Sequence, residues 1–181
     1  INGIWRARFF WTHLAIADLR SRWRRSFFGI FWSIIQPLAM TGLITVVFSK
    51  LFNSNITTRA PYILSGTLVW EFIVANVTGG ALSFVQADAY IKQYRHPLAI
   101  YTLRTVLGSL VVLALASSSL LVWSGVVLTQ NVNASWLSLP LAYIIVAMIA
   151  WPLSTMLAYI GTRFRDLPHA TGLMMQVLWF I

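Results

Sequence analysis

The chain carries RSRWRRSFFGIFWSIIQPLAMTGLITVVFSKLF at Arg20–Phe52. Beyond Phe28 it runs for about 25 residues with Lys50 as the sole charge, enough helix to match the roughly 30 Å hydrocarbon layer of a bilayer. Directly before it stand Arg20, Arg22, Arg24 and Arg25, and arginines on one flank of an apolar run hold that flank on the cytoplasmic side. The stretch therefore predicts a membrane span with the N-terminus inside.

The composition agrees. The 181 residues are 59% hydrophobic and only 9% charged, with mean hydropathy +0.76. A soluble domain carries about 25% charged residues, and four acidic side chains cannot build a solvated surface around a globule of this size. The net charge of +9 does not indicate nucleic acid, because the basic residues lie between apolar segments rather than on one face of a soluble core. An anionic inner leaflet is their natural neighbour. With no cysteine, disulfide and thiolate chemistry are excluded.

Outward from the first run, the pattern predicts spans at about 28–52, 62–85, 105–129 and 139–160, with a fifth beginning at about 171. Pro37 and Pro152 fall inside the first and fourth, where a bundle tolerates a proline once neighbours cover the freed carbonyl. Arg6, Arg8, Arg20, Arg22, Arg24 and Arg25 precede the first span, and Lys92, Arg95 and Arg104 lie between the second and third. Arg163 and Arg165 precede the fifth, whereas only Lys50 and Arg59 fall on the opposite side. That asymmetry assigns the first group to the cytoplasm. Ahead of the first span, Trp5, Phe9, Ile16, Leu19 and Trp23 recur at helical spacing, with Phe10, Trp11 and Leu14 outside that stripe. The segment reads as an amphipathic helix lying at the membrane interface, and a soluble-domain helix is the alternative.

Few residues suggest chemistry. No phosphate-cradling GxxxxGK, no HExxH and no GxSxG occurs, and His13, His96 and His169 lack metal-ligand spacing. These absences predict neither a catalytic residue nor a metal site. Glu71 is the sole acid inside an apolar segment, roughly 14 Å along its helix from Tyr62. It is read either as a proton or cation relay or as a glutamate facing a polar cavity or a subunit contact. The second reading is preferred, since a relay needs several such groups. The loop from Gln86 to Pro97 mixes aromatic and basic residues over one short helix, suited either to docking a cytoplasmic partner or simply to joining two spans.

Several stretches together carry a resemblance. Asp18-Leu19-Arg20-Ser21-Arg22-Trp23-Arg24-Arg25-Ser26 leads through Phe28-Gly29-Ile30-Phe31-Trp32 to Gln36-Pro37-Leu38. Pro61-Tyr62-Ile63-Leu64-Ser65-Gly66 with Trp70, Ile91-Lys92-Gln93-Tyr94-Arg95-His96-Pro97-Leu98 and Arg163-Phe164-Arg165-Asp166-Leu167-Pro168 follow in order. The whole resembles the membrane subunit of ABC-type polysaccharide exporters, which move O-antigen, teichoic acid and capsule chains and belong to the type-2 exporter superfamily. Glu71 and Arg104 depart from the family pattern.

The resemblance implies an all-α polytopic bundle forming one transmembrane domain, with an N-terminal interface helix. The family has six spans, so this sequence is expected to stop within the fifth. It further implies a permease subunit, not an enzyme, that is a homodimer in the bacterial inner membrane. Two separate cytoplasmic ATPase subunits would hold ATP and magnesium, this chain would hold no cofactor, and the cargo would be a lipid-linked glycan. Tyr90, Lys92, Gln93, Tyr94, Arg95 and His96 would form a coupling helix, braced by Arg20, Arg22, Arg24 and Arg25 and by Arg163, Arg165 and Asp166. Trp32, Tyr62, Trp70, Glu71, Trp151 and Tyr159 would line the channel. A type-2 exporter of lipids or small drugs is the second reading.

Overall fold

Apolar runs broken by short polar or proline-bearing stretches fold into helices joined by turns, with no strand among the described residues. The structure is a computed structural model and describes residues 8–23, 26–52, 56–93, 97–126 and 134–181. Helix α1 covers Arg8–Trp23, and α2 covers Trp32–Phe52. Between them, Gly29 adopts φ 50, a left-handed conformation that a side chain would resist, and a 3-10 turn follows at Gly29–Phe31. The chain continues as α3 (Ile56–Gln86), the short α4 (Asp88–Gln93), α5 (Ala99–Val126), α6 (Ser138–Arg163) and α7 (Leu167–Leu178).

Four helices are long and apolar enough to cross a membrane: Gly29–Lys50, Ala60–Gln86, Ala99–Trp123 and Ser138–Arg163. The shortest, 22 residues, reaches about 33 Å. Exposed apolar side chains such as Leu141, Ile144, Ile145, Met148 and Ile149 on α6 form a surface suited to lipid. The chain is thus an all-α, multi-pass membrane bundle.

Helix α3 is the centre, packing against α2, α5, α6 and α7. Leu64, Leu68 and Phe72 of α3 meet Val106, Leu113 and Ala116 of α5 and Ala150 of α6 in the main core. Lipid tails are as apolar as leucine, so apolarity alone does not bring such helices together; close approach and internal hydrogen bonds do. The α3–α6 contact uses both. A Cβ on Gly80 would stand 2.8 Å from Ser154 Cα, and one on Gly161 would collide with the Ala81 carbonyl oxygen. Ser154 Oγ donates to the Asn76 carbonyl at 2.9 Å, and Asn76 Nδ2 donates to Ser109 Oγ at 2.8 Å, joining α3 to α6 and α5.

A second core places several turns at one end. Phe84 and Ala87, Tyr101 of α5 and Ala158 of α6 pack with Leu14 of α1, Ile91 of α4 and Leu98. Helix α1, helix α4 and the start of α5 therefore share one end of the bundle.

One expectation needs correction. The third long helix starts at Ala99 rather than near residue 105, so Arg104 lies inside it and not in a loop. Pro97 sits just outside the first turn, and the charge that argued for a later boundary is accommodated by an ion pair with Asp18. On α1, Phe9 and Ile16 of the stripe face outward, 67% and 53% exposed, while the buried Ala15 and Leu14, outside that stripe, turn toward the bundle. The helix has two apolar aspects, one for protein and one open to lipid.

Candidate functional site

Of the six side chains expected to line a path, three come together. Trp32 at the start of α2 and Trp70 and Glu71 midway along α3 border one cavity of about 510 Å³. Ser33, Gln36 and Pro37 of α2 and Ser109, Leu113 and Ala116 of α5 complete much of the wall. Pro37 is buried at the α2 end of this space, where the helix carries its missing backbone donor. Trp32 meets Phe28 edge-on at 5.5 Å between centroids, and Trp70 is tilted against Trp179 of the last turn at 5.4 Å. Both indoles are thereby held as firm walls.

The Glu71 carboxylate is half-buried and has no hydrogen bond or ion pair among the described residues. Among the described residues no Lys, Arg or His lines the cavity with it. Its place is on the wall of this cavity. Among the described residues no three His, Asp or Glu gather to hold a metal ion.

The other three lie elsewhere. Tyr62 is 81% exposed near the start of α3. Tyr159, also exposed, packs edge-on against Phe84 at 5.2 Å. The Trp151 indole nitrogen donates to the Ala99 carbonyl and to Thr102 Oγ1, each at 3.2 Å, and Thr102 meets Thr155 at 2.8 Å. Those bonds join α6 to α5.

At the end of the bundle marked by the second core, α4 has two sides. Ile91 points into that core, while Tyr90, Lys92 and Gln93 are exposed and Lys92 pairs with Asp88 one turn earlier. Tyr94, Arg95 and His96 lie outside the described residues, as do Arg24 and Arg25. The Arg22 backbone belongs to α1, and its side chain is also outside them. Arg20 is exposed on α1. Arg163 closes α6, Phe164 is extended, and exposed Arg165 and Asp166 turn the chain into α7, where Pro168 occupies the first turn.

One ion pair was missed in the sequence. Arg104, with a side chain 9% exposed, places Nε 2.6 Å from the Asp18 carboxylate, an ion pair whose N–H is off line for a hydrogen bond. Burial pushes the Asp18 carboxyl above its ordinary range, and Arg104 partly pulls it back. A basic residue inside an apolar run that contains no acid was the available signal, because such a charge requires a partner from elsewhere.

Residues 11–181 match the family described as ABC-2 type transporter. The chain belongs to that family. Among relatives, this ABC-2 type transporter chain is 25% identical over 163 residues to the O-antigen export system permease protein RfbA of Myxococcus xanthus. It is 23% and 22% identical to two proteins of that name from Klebsiella pneumoniae. Each alignment covers 90% of the chain, which spans 62–63% of those relatives' length. Membership of the ABC-2 family gives the bundle, its exposed α4 and its intramembrane cavity a common context.

Proposed function

We propose that the chain is the membrane-spanning part of a permease that exports a lipid-linked polysaccharide of O-antigen, teichoic acid or capsule type. The observation that carries this reading is the match of nearly the whole bundle to ABC-2 transporters, with O-antigen export permeases among its relatives. The permease works as a homodimer in the bacterial inner membrane with its N-terminus in the cytoplasm. Two ABC ATPase subunits dock on it and hold the ATP and magnesium; this chain transports and does not hydrolyse.

The α4 surface supports the docking role. Ile91 anchors the helix to the bundle, while Tyr90, Lys92 and Gln93 point away from it, so a partner that moves α4 moves the ends of α3 and α5 with it. The same coupling role is assigned to Tyr94, Arg95 and His96, which follow α4 in the sequence, and to Arg20, Arg22, Arg24, Arg25, Arg163, Arg165 and Asp166. Closure of the ATPase dimer on ATP pulls on these docked elements and opens a path between the two permease copies. Arginines on the cytoplasmic side attract the lipid pyrophosphate, and the Trp32 and Trp70 rings give sugars flat contact without a deep trap. Tyr62, Trp151 and Tyr159 belong to the path only if the assembled dimer or a rearrangement brings them to it.

Co-purification tests the reading. The wild-type permease should retain its ATPase partner through affinity purification, and combining Tyr90→Ala with Gln93→Ala should cut ATP-driven export while the protein still inserts. Full export by that variant would remove α4 from the coupling role. Absence of any associated ATPase would remove the exporter assignment.

A further inference from the structure

The cavity between α2, α3 and α5 has a composition that flat sugar contact alone does not explain. Gln36 and Ser33 already offer neutral hydrogen-bonding groups to a hydroxylated ligand. What Glu71 adds is an ionisable carboxyl group in the middle of a spanning helix, where a negative charge is costly to hold without a cation beside it. Among the described residues no cation lines the same space, and the carboxyl group has no partner. Two indoles, Trp32 and Trp70, share its walls, and an indole face attracts a cation through its quadrupole. A carboxylate with aromatic neighbours and no counter-charge among the described residues complements an ammonium group.

We propose that this cavity is a subsite for a protonated amine carried on the exported glycan, with Glu71 as the charged partner and Trp32 and Trp70 as its aromatic walls. The inference rests on the glycan-export reading and narrows it to chains that bear free amino sugars or another ammonium substituent. The volume, about 510 Å³, lies within the roughly 300–1,000 Å³ usual for small-ligand sites and admits a sugar ring with its substituent. The amine enters the cavity, its charge pairs with Glu71, and release follows when the assembly rearranges. No bond is made or broken.

The test uses the full-length permease with its ATPase in lipid nanodiscs, held at a pH where glucosamine is protonated. Two probes differ only at nitrogen: a tetramer of glucosamine and its fully N-acetylated counterpart. Calorimetric binding should favour the free-amine tetramer by about tenfold, the factor of one good charge contact. Glu71→Gln should erase that preference while leaving the acetylated tetramer unchanged, and Glu71→Asp should keep part of it. A thermal midpoint and ATPase association equal to wild type verify that each variant is folded.

Equal binding of the two tetramers by the wild type would overturn the subsite and leave the glycan reading intact. An unchanged preference in Glu71→Gln, or a change in subunit association with no change in preference, would assign Glu71 to a contact between copies and overturn it also. If neither tetramer binds but butylammonium does, and only with Glu71 present, the cation subsite stands and the glycan reading falls. Binding of none of the three removes both.

Discussion

Arg104 Nε lies 2.6 Å from Asp18 Oδ2, so a residue inside a spanning helix is tied to the helix that precedes the bundle. The arginine is almost wholly enclosed, while the aspartate remains half exposed. Leu14 and Ala15 supply apolar contact on the same side of α1. Helix α1 is therefore fastened by charge as well as by apolar contact, and its position is coupled to the start of α5.

Removing one partner should cost more than removing both. Asp18→Ala leaves a buried guanidinium uncompensated and should lower stability by about 1–3 kcal/mol. Arg104→Met alone leaves a half-exposed carboxylate that water can serve, so its cost is smaller. The double variant should recover most of the loss, giving a coupling of about 1 kcal/mol or more in a double-mutant cycle. Thermal unfolding in detergent measures it, and strictly additive effects would deny the pair any role.

Asp18 also sets a pH dependence. Its carboxyl is raised in the fold, first by burial, with Arg104 opposing, so the folded chain holds this proton more tightly than the unfolded chain. The associated stabilisation is fully present below the ordinary aspartate value of about 3.9, and is lost as pH rises to and through the folded value. The difference in unfolding midpoint between wild type and Asp18→Asn should fall across that acidic window and stay flat above it. A difference that grows with pH would mean that the charge pair, not desolvation, dominates at this site.

Gly161 tests the close packing of α3 on α6. Its Cβ would occupy the space of the Ala81 carbonyl oxygen, a backbone atom that cannot swing aside. Gly161→Ala should destabilise the fold by about 1–3 kcal/mol despite alanine's better helix propensity. At Gly108, where a Cβ would meet nothing within 4 Å, the same change should be neutral or stabilising. Equal effects at the two sites would contradict the packing described.

The spans were legible because an apolar run of bilayer length has few other uses, and α4 because proline and polar residues bracket it. Arg104 was not legible as a helical residue. Charge was taken to mark the end of a span, whereas here a partner distant in sequence neutralises it. Trp151, Tyr62 and Tyr159 looked equivalent to Trp32 and Trp70, since aromatic type carries no information about which neighbour a helix face meets. Only the assembled bundle separates the indole that joins α6 to α5 from those that border the cavity. The stripe on α1 gave the right periodicity, but the side that meets protein is chosen by Leu14, Ala15 and Asp18 together.

The absence of cysteine allows single thiols to report sidedness cleanly. Tyr90→Cys and Arg165→Cys should react with an impermeant maleimide only after the membrane is opened, and Asn131→Cys should react in intact spheroplasts. Labelling of Tyr90→Cys and Arg165→Cys from opposite faces would break the alternation of the spans.

The most direct test of the exporter account is where the glycan resides when this permease is removed. Lectin labelling before and after opening the cells measures the lipid-linked polymer on each side of the inner membrane. Loss of the protein should leave polymer trapped on the cytoplasmic face, and restoring the wild type should return it to the surface. Unchanged surface polymer in the deleted strain, with no second permease present, would contradict the account.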